Sequence, residues 1–148
     1  MPRRQIREKN ILFLSMDYSC SSQMAEAIAR QLAPPETRIF SAALAPREIP
    51  PAAVEVMREI QVEIPAGPAK ALDAVPMDEI DLVVALGEAG GKWPALPSRT
   101  RLEHWPIPDA RRIGAGGAPG RAVFRYVRDE IDKKVAALFL DHWRNLTH

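Results

Sequence analysis

Residues 11–23 read ILFLSMDYSCSSQ. The apolar run Ile11–Leu14 ends in the small polar Ser15, a polar loop follows, and MAEAIAR at 24–30 starts as a helix. Strand, tight loop, helix is the layout of an anion-binding loop, where backbone N–H groups and the positive end of the helix face the ligand. The candidate loop comprises Ser15, Met16, Asp17, Tyr18, Ser19, Cys20, Ser21 and Ser22, with no glycine, lysine or arginine among them. The outline is that of a phosphate cradle, but the side chains are not.

Outward from this stretch, the chain alternates strand and helix. Ile11–Leu14 is apolar throughout, as expected of a parallel strand buried on both faces. Ser22–Leu32 has helical spacing, with Met24, Ala27 and Ile28 on one face, and the APP at 33–35 stops it. Arg38–Ala42 is a second short strand. Pro51 suits the first turn of a second helix, in which Val54, Met57 and Ile60 keep helical spacing. Residues 65–80 form a loop with at most one short helix. Asp81–Leu86 is a third strand, Arg101–Trp105 a fourth, and Ala118–Arg144 one long helix. That helix carries a buried stripe of Val123 or Phe124, Val127, Ile131, Val135 and Leu138, continued by Leu140 or His142. The expected fold is a single α/β domain over residues 10–148 with a parallel sheet, preceded by a basic extension at 1–9. Ligands of such sheets sit outside the carboxyl ends of the strands. Ser15–Ser22, Ala43–Arg47, Gly87–Trp93 and Pro106–Asp109 therefore converge on one cleft.

Composition narrows the function. The 148 residues suit one domain. Twenty basic against 19 acidic residues, net +1, predict no general attraction to nucleic acid or to an anionic membrane. No apolar run approaches the length of a membrane span, and ILFLS is too short for a signal-peptide core, so a cytoplasmic location is expected. The single cysteine, Cys20, cannot form an intrachain disulfide and excludes a cysteine-only zinc site. His104 and His142 stand in no ligand pattern, and no metal or cofactor is expected.

The residues also carry a resemblance. ILFLSMDYSCSSQMAEAIAR at 11–30 resembles the start of the low-molecular-weight tyrosine phosphatases, and is most similar to the thioredoxin-coupled arsenate reductases of that family. SAALAP at 41–46, AVEVMREIQVEI at 53–64, AKAL at 69–72, DEIDLVVAL at 78–86, WPIPDA at 105–110 and FRYVRDEIDKKVAAL at 124–138 follow in the family's order. The resemblance implies a four-stranded parallel sheet of order 2-1-3-4, with helices on both faces. It also places the family's chemistry. The loop there reads Cys-x5-Arg-Ser/Thr; Ser15 stands at the nucleophile position, Ser21 at the arginine and Ser22 at the following hydroxyl. Tyr18 replaces a loop asparagine, and Asp17 stands where glycine is usual. Asp109 matches the general acid, with Ala110 after it in place of proline. Leu86 and Trp93 stand where the arsenate reductases carry two further cysteines.

These replacements bear on chemistry. A thiol at a helix N-terminus ionises near neutral pH, whereas a serine hydroxyl there stays protonated and needs a base. A stabilising arginine in phosphoryl transfer contributes roughly 10³–10⁵ in rate. Arsenate reduction moves electrons through cysteine sulfurs, and one cysteine cannot close an internal disulfide. Arg111, Arg112 and Arg121 flank the expected cleft and are candidate supporting cations. Trp93 is a candidate plug or partner anchor. The reading favours a catalytically degenerate family member, a pseudo-enzyme that binds a small phosphate-like anion or a protein partner. The alternative is a weak phosphatase using Ser15 and Asp109; a second alternative is a redox-responsive module acting through Cys20.

Overall fold

The computed structural model describes residues 9–15, 20–44, 48–64, 70–87, 93–108 and 120–146, with side chains through residue 140. Four parallel strands, β1 (Asn10–Ser15), β2 (Arg38–Ala43), β3 (Leu82–Leu86) and β4 (Arg101–Trp105), form one sheet in the order β2-β1-β3-β4. This is the expected order. The helices are α1 (Ser21–Leu32), α2 (Pro51–Arg58) and α3 (Arg121–Leu146). Every residue of β3 and all of β1 beyond Asn10 is buried, which explains why both strands read as unbroken apolar runs.

The two faces of the sheet are covered unequally. Ile11 and Phe13 of β1 and Leu82, Val84 and Leu86 of β3 share a core with side chains of all three α-helices. Phe13 is fully buried and meets the Trp105 ring at a centroid distance of 5.8 Å. Leu12, Leu14 and Val83 point the other way, into a smaller core with Val75 and Ile80. Among the described residues that second face is covered by two short 3₁₀ turns, Leu72–Ala74 and Met77–Glu79, and by the segment around Trp93 and Leu96. The single short helix expected within 65–80 is thus a pair of turns. Each carries two i→i+3 bonds: the Ala74 and Val75 N–H groups donate to the carbonyls of Ala71 and Leu72, and those of Glu79 and Ile80 to Pro76 and Met77.

In α2 the buried residues are Ala53, Val56 and Met57 rather than the expected Val54, Met57 and Ile60; Ile60 is 36% exposed. The helix stops at Arg58, so Ile60 never reaches the face its spacing assigned. Gln61, at φ 63°, ends it. The Val62 N–H bonds to the Met57 carbonyl at 3.0 Å and the Gln61 N–H to that of Arg58 at 2.9 Å. This is a Schellman ending with glutamine in the left-handed place that glycine normally takes. In α3 the stripe is Phe124, Val127, Ile131, Val135, Leu138 and Phe139, while Leu140 is 44% exposed. The expected continuation through Leu140 fails because Phe139, one position earlier, faces the core. His142 lies beyond the described side chains.

A seam of ion pairs ties α2 to α3. Arg121 donates to Glu55 at 2.5 Å, Arg125 to Glu59 at 2.6 Å and Arg128 to Glu59 at 2.8 Å. Arg128, the least exposed of the three arginines, also donates to the Val56 carbonyl at 2.8 Å.

Candidate functional site

The junction of β1 and α1 is where the sequence placed its anion loop. Ser15 closes β1 between Ala43 of β2 and Leu86 of β3, and its carbonyl accepts the Leu44 N–H at 3.0 Å. The Ser15 side chain follows Ile11 and Phe13 onto the face that α1 covers. There its Oγ lies 2.8 Å from the Ser22 Oγ, with both residues fully buried. Cys20 is the N-cap of α1 and contributes no side-chain cap. Its carbonyl accepts the N–H groups of Gln23 and Met24, each at 3.1 Å. The first turn carries no acidic residue, so the positive end of the helix is not neutralised from within that turn. Gln23 in this turn is buried, at 6% exposure, and neither atom of its amide has a hydrogen-bond partner among the described residues.

One turn further along, Glu26 forms a second node. Its carboxylate accepts the Ser41 hydroxyl at 2.6 Å and the Arg30 guanidinium at 2.7 Å, with the Lys70 ammonium at 3.8 Å. Its side chain is 13% exposed. The node ties α1 to β2 and to residue 70, whose carbonyl accepts the Ala43 N–H at 2.9 Å. Sequence reading passed over Gln23, Glu26 and Ser41. The signal for Glu26 was its place four residues after Ser22, hence on the same side of the helix.

The other candidates divide. Cys20 is half-buried, with its Sγ 3.8 Å from the Met24 Sδ, packed against the main core. Arg121 is engaged with Glu55 on α2. Trp93 also departs from expectation. It packs with the Leu12–Leu14 core, on the face opposite Ser15, and its ring lies 6.2 Å from that of His104. The core it joins lies on the other face from the Ser15 and Ser22 hydroxyls, because alternate residues of a strand face opposite sides. His104 in turn contacts the Gly87 carbonyl at 2.8 Å. Met16, Asp17, Tyr18, Ser19, Asp109, Arg111 and Arg112 lie outside the described residues. No group of three metal-ligating side chains occurs among the described residues.

Comparison with known proteins places this geometry. The family model for low molecular weight phosphotyrosine protein phosphatase matches residues 10–147. The chain belongs to that family. Among curated relatives of this family member, the arsenate reductase of Bacillus subtilis is 34% identical over 131 residues, 88% of this chain and 94% of the relative. That of Halalkalibacterium halodurans is 35% identical over the same share of both chains. A solved arsenate reductase in a phosphate-binding state superposes with a TM-score of 0.74 at 26% identity, over 88% of this chain and 95% of that one. The Vibrio vulnificus Wzb protein, solved with benzylphosphonate, shares the fold with a TM-score of 0.69 at 20% identity, over 87% and 95% of the two chains. No helix among the described residues is long and apolar enough to cross a membrane.

Proposed function

We propose that this family member binds a small tetrahedral oxyanion of the phosphate type at the β1–α1 junction, and that it does so without the sulfur chemistry of its reductase relatives. The observation that carries the reading is the pair of fully buried hydroxyls, Ser15 and Ser22, held 2.8 Å apart at the N-terminal end of α1. Hydroxyls and backbone N–H groups at a helix N-terminus hold an oxyanion with neutral donors. The Gln23 amide, which has no partner among the described residues, adds a donor in the same turn. The phosphate named in the related reductase structure supports the choice of ligand class.

The same geometry argues against a serine nucleophile. A hydroxyl such as that of Ser22 is too weak a base to draw the Ser15 proton. Position 21 holds serine, so the forked cation that would stabilise a transferring phosphoryl group is missing there. With one cysteine in the chain, arsenate cannot be reduced by closing an intrachain disulfide.

The test is amide NMR with titrated inorganic phosphate and arsenate, run beside hydrolysis of p-nitrophenyl phosphate. Both anions are expected to shift the Ser21, Ser22 and Gln23 amides, and hydrolysis is expected to match that of a Ser15→Ala variant. Failure of either anion to move those amides defeats the binding reading. Hydrolysis that depends on Ser15 restores the phosphatase.

A further inference from the structure

At the opposite end of α1 the chain builds a second, basic cleft. Its volume is about 380 Å³, and its lining includes Arg30, Pro34, Pro35, Thr37, Arg38 and Phe40. It is open to the surface where α1 ends and β2 begins. Arg38 pairs in register with Asn10 and Ala43 with Ser15, so the cleft lies five residues down the strands from the hydroxyl pair. At about 3.3 Å per residue, that is about 17 Å. The two sites share no residue.

Two cations and a hydroxyl are fixed around this cleft. Arg30 is anchored by one nitrogen, Nη2, which donates to the Ile39 carbonyl at 2.9 Å and to Glu26 at 2.7 Å. The Arg38 guanidinium lies over the Phe40 ring, 5.0 Å from its centroid, and one nitrogen reaches Glu79 at 3.4 Å. That pair is more than half exposed on both sides and contributes little to holding Arg38 away from another anion. Neither Glu26 nor Glu79 lines the cleft. The remaining guanidinium nitrogens of both arginines have no partner among the described residues, and neither does the Thr37 hydroxyl. Thr37 is held in place through its N–H, which donates to the Pro34 carbonyl at 3.0 Å. The wall beside these donors is apolar, made by Ala33, Pro34 and Pro35.

We infer that this cleft is a binding site for a small organic anion, a phosphomonoester or a carboxylate joined to a compact apolar body. The anionic head sits between Arg30, Thr37 and Arg38, and the body lies on the prolines. A volume at the lower end of the range for small-molecule sites suits a single ring. Guanidinium forks suit planar carboxylate and tetrahedral phosphate alike, so the head group is left to experiment.

The experiment is an amide NMR titration of the full chain with phenyl phosphate, benzoate and inorganic phosphate in turn. Phenyl phosphate or benzoate is expected to shift Thr37, Arg38, Ile39 and Phe40, and the stronger of the two identifies the head group. Arg38→Gln is expected to weaken that binding about tenfold, and Thr37→Val about threefold. Both substitutions lie at the exposed start of β2 and spare the core. A Ser15→Ala variant is expected to keep the shifts at 37–40, which separates this site from the β1–α1 junction. Shifts confined to 21–24, shifts that survive Arg38→Gln, no shifts at 37–40, or inorganic phosphate binding there as strongly as the aromatic ligands would each overturn the inference.

Discussion

Two regions hold helices in place by opposite means. At the β1–α1 junction the contact is neutral and dry, a pair of fully buried serine hydroxyls. At the α2–α3 seam it is charged and wet, with Glu55 and Glu59 receiving Arg121, Arg125 and Arg128 at the surface. A charge at the junction would have to leave water and find a buried counter-charge, which costs several kcal/mol. At the seam, water screens each pair and the individual gain is small. Position 21, in the first turn of α1, holds serine, which needs no counter-charge, while arginine is used freely where solvent reaches it. The junction should be indifferent to salt and mild acid; the seam should not.

The largest expected effect comes from charging the junction. A Ser15→Cys, Ser21→Arg double variant restores the pair that the family's loop pattern carries at these places. If the backbone nest is intact, hydrolysis of p-nitrophenyl phosphate should rise by roughly 10³-fold or more over the unaltered chain. A folded double variant with no gain would show that the loop has lost its phosphate-holding shape along with its side chains.

Next in size is the removal of one hydroxyl. Ser22→Ala removes the hydrogen bond that joins the two hydroxyls at 2.8 Å, and unfolding in urea should show a loss of about 0.5–1.5 kcal/mol. Removing both hydroxyls should cost less than the sum of the single losses, since the one hydrogen bond between them is lost only once. Full additivity would mean the two hydroxyls do not interact.

The seam should respond to acid. The hydrogen bonds from Arg125 and Arg128 hold the Glu59 carboxyl down to about 2, against an ordinary value of 4.5. A carboxylate depressed on folding stabilises fully above its ordinary value and loses that contribution as pH falls through the folded one. The Tm difference between the wild-type chain and Glu59→Gln should be constant near neutrality, shrink below pH 4.5 and vanish near pH 2. Molar salt should shrink it as well. A difference that stays flat across that range would make the seam a packing contact rather than an electrostatic one.

The smallest effect lies at the end of α2. Gln61→Gly relieves a left-handed residue at φ 63°, and thermal unfolding should report a gain of about 0.5–1 kcal/mol. No gain would place compensating contacts on the Gln61 side chain.

Much of this was legible in the residues. The buried strands β1 and β3 read as apolar runs because both of their faces are covered, and the helix after Cys20 read from the spacing of its apolar residues. The long stripe of α3 followed from its period. Where reading failed, a local event shifted the phase. The Schellman ending at Gln61 cut α2 short of Ile60, and Phe139 replaced Leu140 on the core side of α3. Trp93 and Arg121 read as site residues because both flank the expected cleft in sequence, but the sheet's two faces sent Trp93 to the other side, and Glu55 took Arg121.

The sequence by itself determined the parallel sheet and set serine, rather than cysteine or arginine, at positions 15 and 21. These depend on residue type, apolar period and chain order, which are local properties. Tertiary structure alone decided that Ser15 and Ser22 meet out of water, that Glu26 gathers Ser41, Arg30 and Lys70, and that Arg30 and Arg38 share a cleft. Each of these joins residues on different elements, and their distances are set by how α1 lies on the sheet, a property that no single segment encodes.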